Sequence, residues 1–213
     1  MIFKDPIMPE WEILQQPARY QSYMTLMHSH VENMISGSAG PKIILLEHEP
    51  VYTSGITNSN FPISCVPFVK TTRGGLMTYH GEGQRIIYPM LDLNHYKRDI
   101  LWYINTLEEW VITSLKIFGI NGHQNTNHRG VWVKVQDRDT KIASIGIRIR
   151  KWITFHGVSI NVSTNLKYFN EIVPCGIQGV QISSCHSLGY YITMQDLDNA
   201  LISTFKECFR IDK

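Results

Sequence analysis

The sequence predicts an α+β fold (mixed-sheet α/β), with helices set apart from a run of antiparallel hairpins. Three apolar stripes at helical spacing and three consecutive stretches of alternating residues carry that expectation. In residues 18–36, Tyr20, Met24, Met27, Val31 and Met34 recur at three- and four-residue steps, and Gly37 and Gly40 end the pattern. Residues 42–47 read as a short apolar strand and residues 50–55 as the start of a loop. Residues 99–118 form the clearest helix. Ile100, Ile104, Leu107, Val111, Leu115 and Phe118 share one face, and Gly119 stands where a C-terminal cap is wanted.

The alternating stretches follow in close order. Val131, Val133 and Val135 face one way, and Gln136-Asp137-Arg138-Asp139 reads as a hairpin turn. Residues 141–150 set Ala143, Ile145, Ile147 and Ile149 against Ser144, Gly146, Arg148 and Arg150. Residues 152–162 put Val158, Ile160 and Val162 on the face that also carries His156. Near the end, Thr193 followed by Asp196 reads as a helix N-cap, with Leu197, Leu201, Phe205 and Phe209 as the apolar stripe. No repeat, low-complexity run or linker interrupts the chain, so residues 1–213 are expected to form a single domain.

Composition narrows the class. The 213 residues are 43% hydrophobic and 18% charged, the balance of a soluble protein with a sizeable core. A formal net charge of +2, dispersed along the chain, argues against nucleic acid or a membrane surface as partner. No apolar stretch approaches the ~20 residues of a membrane span. The opening Met1-Ile2-Phe3-Lys4-Asp5-Pro6 has no signal or transit pattern, and Cys65, Cys175, Cys185 and Cys208 are too scattered for a disulfide framework. The cytoplasm and a monomer are the expected setting.

Two segments do not suit an ordinary core. Arg73-Gly74-Gly75-Leu76-Met77-Thr78-Tyr79-His80-Gly81-Glu82-Gly83-Gln84 carries four glycines and a polar set. Glycine at this density weakens regular structure and lets the main chain approach a ligand, so a ligand-lining loop is favoured over a bulged hairpin. No Gly-Lys-Ser/Thr follows, which excludes a phosphate-binding P-loop. The second segment, Pro174-Cys175-Gly176, holds a cysteine on a constrained turn.

A cysteine nucleophile needs a cation or base, since a free thiol has a pKa near ~8.5. Lys141, Arg148, Arg150, Lys151 and His156 precede Cys175 and are the candidates. The residues after Lys141 become small, leaving room for a ligand beside its charge; a solvated hairpin lysine near Asp137 and Asp139 fits the spacing as well.

In order, the motifs resemble those of the octanoyl-acyl-carrier-protein:protein octanoyltransferases, the lipoate-protein ligase B family. Arg73 to Gln84 matches that family's Arg-Gly-Gly-x-x-Thr-Tyr-His-Gly-Pro-Gly-Gln stretch, and Leu46 to Thr53 its Glu-His-x-Pro-Val-Tyr-Thr segment. Gly130-Val131-Trp132-Val133, Lys141-Ile142-Ala143-Ser144-Ile145-Gly146, Phe155-His156-Gly157, Ile160-Asn161-Val162 and Pro174-Cys175-Gly176 complete the order. The likeness runs from about Leu45 to Leu188.

The resemblance implies the catalytic-domain fold of biotin and lipoate ligases, a mixed sheet flanked by helices. It also implies a two-step transfer in which Cys175 holds a medium-chain acyl group as a thioester and Lys141 lowers the thiol pKa and shuttles the proton. The donor would be octanoyl-acyl carrier protein. The acceptors would be lysines on lipoyl domains of 2-oxoacid dehydrogenases and on the glycine-cleavage carrier protein. Arg73, Gly74, Gly75, Leu76, Met77, Thr78, Tyr79 and His80, with Ser144, Ile145, Gly146, Gly157, Val158 and Ser159, would line the substrate pocket. His80 and amides near Gly146 are candidates for the oxyanion. No cofactor or metal is implied, because a thioester is already activated. Two departures stand out: Glu82 replaces a proline, and Gln178 to His186 differs from the family's Val-Thr-Ser-Leu. An ATP-dependent ligase, a metal protein using Cys175, His80 and His156, and a non-enzymatic acyl-binding module are the competing classes.

Overall fold

The computed structural model describes residues 8–56, 64–176 and 179–209, with the backbone alone at Cys175. Its strands are β1 (Glu10–Ile13), β2 (Lys42–Leu46), β3 (Val51–Ser54), β4 (Phe68–Lys70), β5 (Thr78–His80), β6 (Gln84–Met90), β7 (Gly122–Gln124), β8 (Val131–Val135), β9 (Arg138–Arg150), β10 (Ile153–Asn161) and β11 (Gln181–Ile182). The helices are α1 (Tyr20–Ser36), α2 (Ile100–Lys116) and α3 (Met194–Cys208). The large sheet runs β1-β2-β6-β10-β9-β8-β7, with β11 added alongside β9; β4-β3-β5 form a small second sheet. The large sheet is mixed: β1 lies parallel to β2 and β11 parallel to β9, while the pairs from β2 to β7 are antiparallel. Among the described residues no helix is long and apolar enough to cross a membrane.

Helices cover both faces of the large sheet, which explains why β2 reads as an unbroken apolar run rather than an alternating one. Ile43 and Leu45 enter the core under α2 and α3, whereas Ile44 and Leu46 enter the core under α1. The helix ends are well specified. Asp99 caps α2 by accepting from the Trp102 N–H at 3.0 Å, and Thr193 and Asp196 form a reciprocal capping box on α3; each such cap stabilises by about 1 kcal/mol. Gly37 and Gly119 close α1 and the turn after α2 at φ 79° and 77°.

The structure departs from the sequence reading in the strands. Residues 50–55, expected as loop, contain β3, and β1, β4, β5, β6 and β7 were not legible as strands. The 136–139 turn is tighter than expected: Gln136 and Asp137 alone make it, at φ 47° and 62°, the left-handed pair of a two-residue hairpin.

Two single-residue irregularities set the faces of the central strands. Val131 pairs with Ala143 and Trp132 with Lys141, so Ile142 is an extra residue on β9. Such a bulge breaks the two-residue period. Ile142 and Ala143 both enter the α2–α3 core, and Lys141 emerges on the opposite face with Ser144 and Gly146. In β10, His156 takes φ 57° and its ring stacks on that of Phe155 at 5.2 Å. Neighbours in a regular strand point apart, so His156 has left the face of Val158 and Ile160, where alternation had placed it.

Candidate active site

Above β6, β9 and β10, on the α1 face of the large sheet, lies a cavity of about 300 Å³. Gly146 and Gly157 face each other across β9 and β10 and form its flat floor. A Cβ at Gly157 would overlap the Ile87 carbonyl, and one at Gly146 would stand 3.2 Å from both Arg73 Cδ and the Gly74 carbonyl. The absence of a side chain at Gly146 lets the 73–76 segment lie directly over the sheet, tied by the Gly74 N–H to the Ile147 carbonyl at 3.0 Å. Arg73, itself buried, donates from Nη2 to the Thr53 carbonyl at 2.8 Å and hydroxyl at 2.9 Å.

Of the residues expected to line a pocket, Arg73, Gly75, Leu76, Thr78, His80, Ser144, Ile145, Gly146, Gly157, Val158 and Ser159 do so, together with Lys141. Gly74, Met77 and Tyr79 do not. Thr78–His80 is a strand rather than a loop, so alternate side chains face the cavity and Tyr79 turns the other way. There it stacks on Tyr168 at 4.4 Å. Tyr20, Ile86, Tyr88, Asn127, His128, Arg129 and His156 line the cavity without having been assigned to it. Tyr20 is the first residue of a helix whose apolar stripe concealed it; only His156 carried a signal, through its glycine neighbour.

Lys141 is buried, 3% exposed, with Nζ 5.2 Å from the centroid of the Trp132 ring. An aromatic face attracts an ammonium group through the ring quadrupole. The Trp132 indole N–H is fixed by the His128 carbonyl at 3.0 Å. A solvated hairpin lysine is therefore excluded.

Tyr20, Tyr88, His80 and His156 line the cavity as neutral rings, with His48 packed behind the two tyrosines. His80 Nδ1 lies 2.7 Å from Gln84 Oε1. Gln84 Nε2 donates to Asn161 Oδ1 at 2.9 Å, and Asn161 Nδ2 donates to the Ser183 carbonyl at 3.0 Å. That chain of donors requires Nδ1 of His80 to carry the proton, and burial holds the ring neutral, with its pKa pushed down to about 3. Nε2 is then an acceptor, which does not suit the expected oxyanion role. His48, held neutral by burial at about 4, donates from Nδ1 to the Ala18 carbonyl at 2.8 Å and accepts the Tyr88 hydroxyl at 2.7 Å.

The backbone of Cys175 sits in a 3-10 turn, Pro174–Gly176. Its side chain lies outside the described residues. The turn is against the cavity wall, because a Cβ on Gly176 would overlap Leu76 Cδ1. The chain that follows is anchored beside Lys141: Ile182 pairs with Lys141, and the Ser183 N–H donates to the Lys141 carbonyl at 2.9 Å. Cys185 is fully buried, and burial pushes its thiol up to about 12, so it is no second nucleophile. Cys208 packs at the end of α3 and Cys65 is exposed. Glu82, between Gly81 and Gly83, faces solvent.

Solved structures with this architecture define the class. A bipartite lipoate protein ligase from Thermoplasma acidophilum matches with a TM-score of 0.70 at 18% identity, over 96% of this chain and 87% of its own. A lipoate-protein ligase A bound with ATP gives 0.70 and 18%, over 97% and 89%. The biotin protein ligase of Aquifex aeolicus gives 0.54 at 12% identity, over 98% and 70%. The fold is that of the lipoate and biotin protein ligases. The chain belongs to the lipoyl protein ligase A/B catalytic domain family, whose model matches residues 19–206. Among its relatives, a Rickettsia bellii protein named octanoyltransferase is 41% identical over 95% of this chain and 100% of its own. A Bartonella bacilliformis protein of the same name is 43% identical over 94% and 88%.

Proposed function

We propose that this chain is an octanoyltransferase that passes a medium-chain acyl group from octanoyl-acyl carrier protein to a lysine of a lipoyl domain, with Cys175 as the transient carrier. The observation that carries the reading is the buried Lys141, turned into a cavity whose wall meets the Pro174–Gly176 turn. Near-full-length likeness to proteins named octanoyltransferase supports the choice of acyl group.

The chemistry follows from those parts. In this reading a Lys141 ammonium favours the thiolate form of Cys175. The thiolate attacks the carbonyl of the donor thioester, a tetrahedral oxyanion forms, and the carrier's thiolate leaves with the proton that Lys141 supplies. The acyl-enzyme is again a thioester. The ε-amine of the acceptor lysine attacks it, neutral Lys141 takes the amine's proton, and Cys175 departs as the thiolate while the amide forms. Backbone amides near Gly146, on the cavity floor, would donate to the oxyanion. Thioester is exchanged for thioester and then for the more stable amide, so no nucleotide is consumed. Residues 1–213 act as one catalytic domain and as a monomer, in the cytoplasm, where both carrier and lipoyl domains would be reached.

The test is transfer in a defined mixture of the enzyme, octanoyl-acyl carrier protein and a lipoyl domain. Octanoylation of the lipoyl domain without ATP, lost in Cys175→Ser, is expected. Transfer only from free octanoate with ATP would make the chain a ligase like its ATP-binding structural neighbour.

A further inference from the structure

Among the described residues, the acyl transfer leaves a buried acid on α2 without a use. Glu108, in the middle of α2, is 0% exposed. Its Oε1 accepts the Gly130 N–H at 2.8 Å. Its Oε2 has no hydrogen-bond partner and stands 3.6 Å from Nη1 of the half-exposed Arg129. A carboxylate in such surroundings is costly to keep, and an apolar side chain of similar volume would pack α2 against the sheet more cheaply. What Glu108 supplies, and an apolar residue could not, is an acceptor for that backbone N–H and a counter-charge for Arg129; of the two, only the hydrogen bond reaches the backbone beside Lys141.

Gly130 is where Lys141 is made to fit. It takes φ 117°, and a Cβ there would stand 2.6 Å from Lys141 Cε and 3.2 Å from Nζ. The same corner carries the His128 carbonyl, which holds the Trp132 indole beneath the Lys141 ammonium. One hydrogen bond from α2 thus fixes the backbone that bounds Lys141 along its stem, and the corner that fixes Trp132 under its charged end.

We propose that Glu108 is a positioning residue for Lys141, acting through the Gly130 N–H and not through its own charge. The proposal rests on the reading of Lys141 as the proton carrier. Glutamine keeps an acceptor oxygen without the charge; methionine keeps the volume without the acceptor.

The experiment compares wild type, Glu108→Gln and Glu108→Met, with Glu108→Ala in reserve should the methionine variant not fold. Two quantities are read: the midpoint pH for iodoacetamide alkylation of Cys175, and the ε-carbon resonance of Lys141 in lysine-labelled protein. The methionine variant should raise the alkylation midpoint by about one unit, the scale of losing a nearby cation, and should move the Lys141 resonance. The glutamine variant should leave both at their wild-type positions. A folded methionine or alanine variant with both quantities unmoved would overturn the proposal, as would a glutamine variant displaced as far as the methionine one. Lys141→Ala serves as the control. If it leaves the alkylation midpoint unchanged, the reading of Lys141 as activator fails, and the Lys141 resonance alone decides whether Glu108 positions it.

Discussion

Lys141 occupies the space that Gly130 leaves empty, across the bulged pair of strands β8 and β9, where a Cβ would come within 2.6 Å of the lysine's Cε. Glycine at 130 is thus required twice over, by the backbone carbonyl of Ala143, which a Cβ would approach to 2.5 Å, and by the Lys141 stem. Gly130→Ala is expected to fold at a cost in stability, from the positive φ and from a Cβ 2.5 Å from the Ala143 carbonyl, and to shift the β8–β9 pairing and the Lys141 stem with it. A displacement of about 1 Å at a reacting group can cost on the order of 10²-fold in rate. Single-turnover acylation of Cys175 should therefore slow at least about tenfold, and an unchanged rate would show that the lysine tolerates the intrusion.

Removing the amine itself is the more direct perturbation. Lys141→Ala should slow acylation by about 10²- to 10⁴-fold, the range for losing a positioned proton carrier. Binding of the acyl donor should change little, because the cavity walls from Arg73, Ser144 and Gly157 remain. Rapid-quench measurement of the acyl-enzyme separates the two, and a normal acylation rate would remove Lys141 from the mechanism.

Stability should decline in mild acid. His48, His80 and His156 have folded-state pKa values pushed down by burial to about 4, 3 and 3, from an ordinary 6.5. The unfolded chain binds those three protons as pH falls below 6.5, while the folded chain resists until near pH 4. Their stabilisation is thus complete above 6.5 and is lost as pH drops toward the folded values. Asp198 acts in the opposite sense, since burial raises it from 3.8 to about 6 in spite of Arg85, so the folded state takes that proton first. It offsets about one of the three protons. Denaturant unfolding at pH 6.5 and pH 5 should differ by about 2–4 kcal/mol, with the lower value at pH 5; equal stabilities would mean that the histidines are not held neutral.

Thr154 supports the strand junction under the site. Its hydroxyl donates to the Pro89 carbonyl at 2.7 Å and accepts the Leu91 N–H at 3.0 Å and the Tyr103 hydroxyl at 3.2 Å. Thr154→Val keeps the shape and strands buried polar groups, at a cost of about 1–3 kcal/mol. A drop in melting temperature with the acylation rate nearly preserved is expected; no drop would mean that water replaces the hydroxyl.

These features also explain what could and could not be read from the sequence. The three helices were legible because Met27, Leu107 and Leu201 recur with their stripes and because the caps at Asp99, Thr193, Gly37 and Gly119 are local signals. Strand β6 was hidden by two residues that argue against a buried strand. Arg85 is neutralised by Asp198 on α3, 113 positions away, through a bond from Nη2 at 3.0 Å. Pro89 is tolerated because the Thr154 side chain takes up the pairing beside it. The motif segments located most of the cavity, yet alternation misplaced His156 and said nothing decisive about Lys141. Each is turned toward the cavity by a single residue out of register, the bulge at Ile142 and the left-handed φ at His156, and a two-residue period carries no trace of either.

The covalent intermediate is the center of the account, and intact-protein mass spectrometry tests it most directly. After brief incubation with octanoyl-acyl carrier protein, wild type should gain about 126 Da, one thiol-bound octanoyl group of the kind covalent catalysis requires. The adduct should be released by hydroxylamine and be absent from Cys175→Ser. Wild type without an adduct, or an adduct that persists in Cys175→Ser, would contradict it.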